Sequence, residues 1–187
     1  NGSVTSSAGS AVAISFGNII SVGGITGATD AAALAVGYFS GSVTATGFAG
    51  VITLADFVSG SVSGNDAIAL TQGNLNGSVN ATNDAAALAI GHIGGNVSAG
   101  NDATLAAFRN INSTVSAGRD ITDIWAVGNI TGTFNATRDI GVTLTSSDPT
   151  SVAPGGITSY GSINATFNAA SNTAATQAVG NIAGNFS

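Results

Sequence analysis

A right-handed parallel β-solenoid is the fold this sequence predicts, and three observations predict it. One phrase recurs through the chain with a period near 18–19 residues. Inside each copy, polar and apolar residues alternate with the period of two that marks a half-buried strand. The alternating pieces are separated by Gly, Asn and Asp, which supply sharp corners. Aligned on the apolar residue of "GSV", the copies give Val4, Ile25, Val43, Val62, Val79, Val97, Val115, Phe134, Ile163 and Phe186. That spacing is too short for helix-pair repeats, and glycine at such density destabilises helices by ~1 kcal/mol each.

Each unit divides into three short extended pieces. The first is Ser42-Val43-Thr44-Ala45, repeated as Ser78-Val79-Asn80-Ala81, Asn96-Val97-Ser98-Ala99 and Thr133-Phe134-Asn135-Ala136. Its apolar residue faces inward and its polar neighbours face outward. The second is an "AALAV" piece, in which Leu34 and Val36, Ile68 and Leu70, and Leu88 and Ile90 are expected to point inward. Ala33, Ala35, Ala69, Thr71, Ala87 and Ala89 would then form an outward face of small groups, suited to lateral packing against another copy. The third is the "GNI" piece, as in Asn18-Ile19, Asn74-Leu75, Asn110-Ile111, Asn129-Ile130 and Asn181-Ile182. Three strands per unit give about ten coils stacked ~4.8 Å apart, wound right-handed as parallel crossovers are. A β-sandwich is the rival, but a sandwich does not require its strands to resemble one another. A single domain over residues 1–187 is expected, since one coil cannot bury its own apolar edge without a neighbour of the same pattern.

Residues 141–160 break the rhythm, adding roughly ten residues to the period near 18–19 and carrying both prolines, Pro149 and Pro154. Proline cannot donate to a ladder, so a loop protruding from the rod is expected there.

Composition narrows the function. Nine acidic residues, all Asp, face three cations, Arg109, Arg119 and Arg138, for a net charge of −6. That excludes the clustered basic surface a nucleic acid needs. No apolar run reaches the ~18 residues of a helical membrane span. Cysteine is absent, so no disulfide framework exists. With no initiator Met at residue 1, a processed or excised segment and an extracellular or cell-surface location are expected.

"GSVNATNDAAALAIG", residues 77–91, and its copies resemble the degenerate repeats of secreted bacterial parallel β-helix exoproteins, including haemagglutinin-like adhesins. The resemblance spans nearly the whole chain and implies a structural or adhesive role outside the cell. No functional residue carries over from it.

Three patterns are candidates for chemistry. Asp30, Asp66, Asp84, Asp102, Asp120 and Asp139 recur at equivalent corners. Asx-turn hydrogen bonds, each Asp capping its own corner through the local backbone, explain such a row, with Arg119 and Arg138 relieving charge. A calcium ladder is the alternative, the only cofactor considered, although the calcium-binding nonapeptide of β-rolls is missing. The acceptor N-x-S/T occurs at Asn1, Asn76, Asn80, Asn96, Asn112, Asn129, Asn135, Asn164 and Asn185, nine of eighteen Asn. All nine fall at outward or corner positions, which makes them glycosylation candidates in a secreted chain. The single histidine, His92, occupies a slot held elsewhere by Asn and reads as solvated. No Lys or Glu and no distinctive coil suggest an acid–base centre, so no enzyme and no catalytic residues are expected. Both ends carry ordinary repeat, which suggests copies stacking head-to-tail.

The expected function is therefore a non-enzymatic filament segment or adhesin stalk, N-glycosylated, with other copies and glycans as partners. The alternative is a surface- or carbohydrate-binding module. Ice binding fits less well, because the outward Thr-x-Thr regularity fails.

Overall fold

The computed structural model describes residues 2–21, 23–141, 157–159, 161–173, 176–178 and 180–187. Every regular element among them is a strand, and every strand pairing is parallel. The chain winds as a β-solenoid of about eight turns, slightly fewer than the ten coils expected, although ten strands stack on its first side. The first sheet stacks ten strands, from Val4–Ser6 and Ile25–Gly27 through Ser78–Ala81 and Val97–Ala99 to Ile163–Ala169 and Ile182–Phe186. The second begins at Ala11–Ser15 and Ala31–Ala35 and continues through Ala85–Ala89, Ala103–Ala107 and Ile121–Ala126. The third comprises Ile19–Ile20, Phe39–Ser40 and Phe57–Ser59, then single bridges from Phe57 through Leu75 and Ile93 to Ile111.

Register follows the repeat. Val62 pairs with Val79, Val79 with Val97 and Val97 with Val115, so the same residue of each coil lies on its neighbour. From Ile111 onward the third and first sides fuse into seven-residue strands, Ile111–Ala117, Ile130–Ala136 and Ile163–Ala169. This corrects the alignment at one point. Phe134 pairs with Phe167 and Phe167 with Phe186, whereas Ile163 stacks on Ile130 in the third column. Both residues start apolar-alternating pieces, and the inserted segment hides which is which.

The insertion enters inside a rung of the second sheet. Asp139–Ile140 lies against Ile121, and Ile157–Ser159 continues the same level against Ile124–Ala126. Three residues expected in the loop are thus strand. Pro149 and Pro154, with the rest of 142–156 and Tyr160, lie outside the described residues.

The core corrects the second piece. Ala33, Ala35, Ala69, Thr71, Ala87 and Ala89 point inward and are buried, and Leu34, Val36, Ile68, Leu70, Leu88 and Ile90 point outward. Ala87 is 0% exposed and Leu88 36%, so the phase is opposite to that expected. Volume is the reason. The first and third sides fill the interior with buried columns such as Val79, Val97, Val115 and Phe134, and Phe39, Phe57, Leu75 and Ile93. A close-packed coil leaves the remaining wall small groups over most of its length, with Val51, Leu105, Ile121 and Ile124 as larger buried exceptions. Where that wall turns polar the groups are satisfied: Thr53 and Thr71 donate to the carbonyls of Gly37 and Ala55, and Ser159 Oγ donates to Gly128 at 2.6 Å.

Two glycines show how tightly coils stack. Gly132 has φ +122°, and a Cβ there would meet the Ser113 carbonyl oxygen at 2.0 Å. Gly77 leaves space for the Phe57 ring, whose Cζ would lie 2.2 Å from an added Cβ.

Candidate functional site

Two corner ladders and two outward faces carry the chemistry-bearing residues. The first ladder is the aspartate row. Asp30 Oδ1 accepts from the Phe48 N–H at 3.0 Å, Asp84 Oδ1 from Asp102 at 3.1 Å, Asp102 Oδ1 from Asp120 at 3.3 Å and Asp120 Oδ1 from Asp139 at 3.2 Å. Each carboxylate thus fastens its own coil to the next, a longer reach than the local turn bond expected from spacing. Phe48 interrupts the row, standing at the level paired with Asp66.

Stacked carboxylates would repel, and the ladder contains its own relief. The Arg119 guanidinium grips Asp102 with two nitrogens, and Arg138 grips Asp120 in the same way. At Asp66 the Asn83 amide donates at 2.8 Å. That bond does most to hold the Asp66 carboxyl below its ordinary value; desolvation opposes it, and the Asp84 N–H and Asn65 amide assist. A lowered carboxyl stabilises the fold above its unfolded-state pKa, and the contribution is lost as pH falls through the lowered folded-state value. Among the described residues, no three His or Asp side chains gather into a group that could hold a metal ion. The row is built of backbone-bonding carboxylates, and the calcium reading draws no support from its geometry.

The second ladder runs along the corner before the third side. Asn18, Asn74, Asn110 and Asn129 each present Oδ1 to a backbone N–H of the following coil, at 2.8–3.0 Å. Asp56 takes the same place, accepting from Asn74. His92 belongs to this ladder and is half-buried, not freely solvated: its N–H donates to Asn74, and its Nδ1 accepts from the Asn110 N–H at 3.2 Å. Replacing His92 with Ala is expected to lower unfolding free energy by about 0.5–1.5 kcal/mol, one hydrogen bond's worth. His92→Asn keeps an acceptor in place and is expected to shift the denaturant midpoint much less.

The outward column of the first sheet is polar. Thr44, Ser63, Asn80 and Ser98 stack in register there. Among the glycosylation candidates, Asn76, Asn80, Asn96, Asn112, Asn129, Asn164 and Asn185 are exposed. Asn135 is half-buried and accepts from the Asn168 amide at 2.7 Å, and Asn129 is also engaged in its ladder. Asn1 lies outside the described residues.

The outward face of the second sheet is mainly aliphatic, with Thr104 and Asp123 in its first column at the last two rungs. Its middle column is Ile14, Leu34, Ile52, Leu70, Leu88, Ala106 and Trp125, paired in register. Beyond the strand ends, Val36, Leu54, Ile90, Phe108 and Val127 form a second exposed line, apolar except at Gln72. The Phe108 ring meets Trp125 edge-on, centroids 5.1 Å apart. Phe48 folds its ring over Gly50, where an added Cβ would lie 2.7 Å away. A shallow groove of about 390 Å³ lies there, bordered by Val12, Ile14, Leu34 and Ile52. The alternation of alanine with larger aliphatics conceals this surface in the sequence, because either phase reads as half-buried.

No family model, curated protein or solved structure matches the chain. No helix among the described residues is long and apolar enough to cross a membrane.

Proposed function

We propose that the chain is a structural, non-enzymatic rod of the extracellular space, serving as a filament segment or adhesin stalk and carrying N-linked glycans. The observation that carries this reading is the use of its chemistry-capable side chains. Asp84, Asp102 and Asp120, Asn74 and Asn110, and His92 all hold one coil's backbone to the next. Side chains committed in this way build axial cohesion, turn after turn, instead of converging on one cleft. A coil that repeats the same groups meets the same partners whichever chain supplies it, so the arrangement propagates by stacking.

Exposed Asn76, Asn80, Asn96, Asn112 and Asn164 offer attachment points along the rod. Glycans there would keep a chain with 6% charged residues in solution. Fibre diffraction and electron microscopy test the assembly: long fibres with an axial reflection near ~4.8 Å are expected. Isolated short rods that bind a polysaccharide would instead favour a binding module. Intact-mass spectrometry of the protein from its native source, before and after enzymatic removal of N-linked glycans, should show a loss of mass. An unchanged mass removes the glycans from the proposal.

A further inference from the structure

We infer that the aliphatic face of the second sheet docks on the same face of a second copy, with the two rods side by side and pointing the same way. The inference rests on the solenoid and not on axial filament growth. Fibre diffraction therefore tests that growth separately.

Area is the first argument. Seven rungs, from Ala11–Ser15 to Ile121–Ala126, present this face. At ~4.8 Å per rung and ~3.3 Å per residue, the flat footprint is about 34 by 17 Å, on the order of 600 Å². Two such faces cover about 1,200 Å², which passes the ~1,000 Å² a specific interface needs. The largest apolar patch on a typical monomer is ~300–600 Å². Ile14 is 66% exposed and Ile90 53%, so the solvent cost falls on large side chains. A regular sheet face is also self-complementary in the way a two-fold contact requires, because sheets pack face to face at ~10 Å.

Charge selects the partner and its direction. The aspartate row borders one long edge of the face, at the start of five of the seven strands, with Ser10 and Phe48 in its place at the other two. Arg119 and Arg138 bind that row. Arg109 is different: it is exposed, it follows Phe108 at the opposite edge, and it has no ion pair among the described residues. A two-fold axis running along the rod brings the start of each strand over the far edge of the same rung in the partner. Arg109 then faces the partner's row at the rung that begins with Asp102. An axis across the rod would instead set aspartate row against aspartate row, which like charges oppose. Arg119 already holds Asp102, but Asp84 starts the adjoining rung and is gripped by no guanidinium among the described residues, so one copy supplies both the matching apolar surface and a carboxylate for Arg109.

Sedimentation equilibrium and short-reach cross-linking of the whole chain test this. The native chain is expected at twice 17.9 kDa. The double variant Leu70→Lys/Leu88→Lys should associate about 100-fold more weakly, since central apolar contacts dominate such interfaces. Its circular dichroism should match that of the native chain, because both residues face outward. The chain contains no cysteine, so single reporters can be placed at will. Leu34→Cys and Ala106→Cys lie four rungs apart, about 19 Å along the rod. Parallel rods cross-link each variant to its own kind through a bismaleimide of ~10 Å reach, matching the sheet spacing. A chain still monomeric at about 100 μM overturns the inference. So does a dimer that survives the two lysines, or cross-linking that requires mixing the two cysteine variants.

Discussion

Phe134→Ala is expected to reduce unfolding free energy by about 3–5 kcal/mol, the usual cost of emptying a buried aromatic site. Phe134 is fully buried, and its ring stacks on Phe167 with centroids 5.0 Å apart; Phe167 stacks in turn on Phe186 at 5.1 Å. This stack stands where Val79, Val97 and Val115 fill the earlier coils. It bridges the insertion, since Asn135 and its partner Asn168 are 33 residues apart where the next such step is 19. Loss of Phe134 thus weakens the join between coils that the chain itself connects by its longest detour. Urea unfolding followed by Trp125 fluorescence measures the loss. A change below ~1 kcal/mol would show that the coils after the insertion do not unfold with those before it.

Ala87→Leu is expected to cost about 1–3 kcal/mol by overpacking, while Leu88→Ser one residue later stays within about 0.5 kcal/mol. The contrast runs against ordinary intuition, in which adding a large apolar residue helps a core and removing one harms it. It follows from orientation. Ala87 is fully buried between Ala69 and Leu105 in an interior column, and Leu88 projects outward between Leu70 and Ala106. Thermal melts of the two single variants decide it. If Leu88→Ser is the damaging change, the aliphatic side faces the core and the proposed docking surface disappears with it.

Much of the rod is legible in the sequence. The step from Val62 to Val79, Val97 and Val115 fixes which residues stack, because a strand pairs in register with a copy of itself. The Asp and Asn columns are also readable as corner residues from spacing alone. Less legible is their destination. A side chain bonded within its own turn and one bonded to the coil above occupy the same place in the repeat, so only coordinates separate them. His92 illustrates this: its slot was identifiable, but its acceptor role at Nδ1 depends on where the Asn110 N–H lies.

The facing of the second strand had a signal that residue size obscures. Ala31, Ala49, Ala67, Ala85 and Ala103 hold one position over five successive coils before Ile121 takes it, while the next position runs Ala32, Gly50, Ile68, Ala86 and Thr104. Over those coils, uniformity among repeats marks the confined column better than hydrophobicity does, because a tight wall accepts few volumes and an open face accepts many.

By itself, then, the repeat determined a rod of parallel coils, its period and its polar corners, since these follow from local alternation and from identical units covering one another. Tertiary structure alone decided three things. It set which phase of "AALAV" faces inward, where the insertion divides a rung, and which coil each ladder residue holds. The physical reason is common to all three: each depends on the space left by other walls of the coil, and that space is a property of the assembled cross-section.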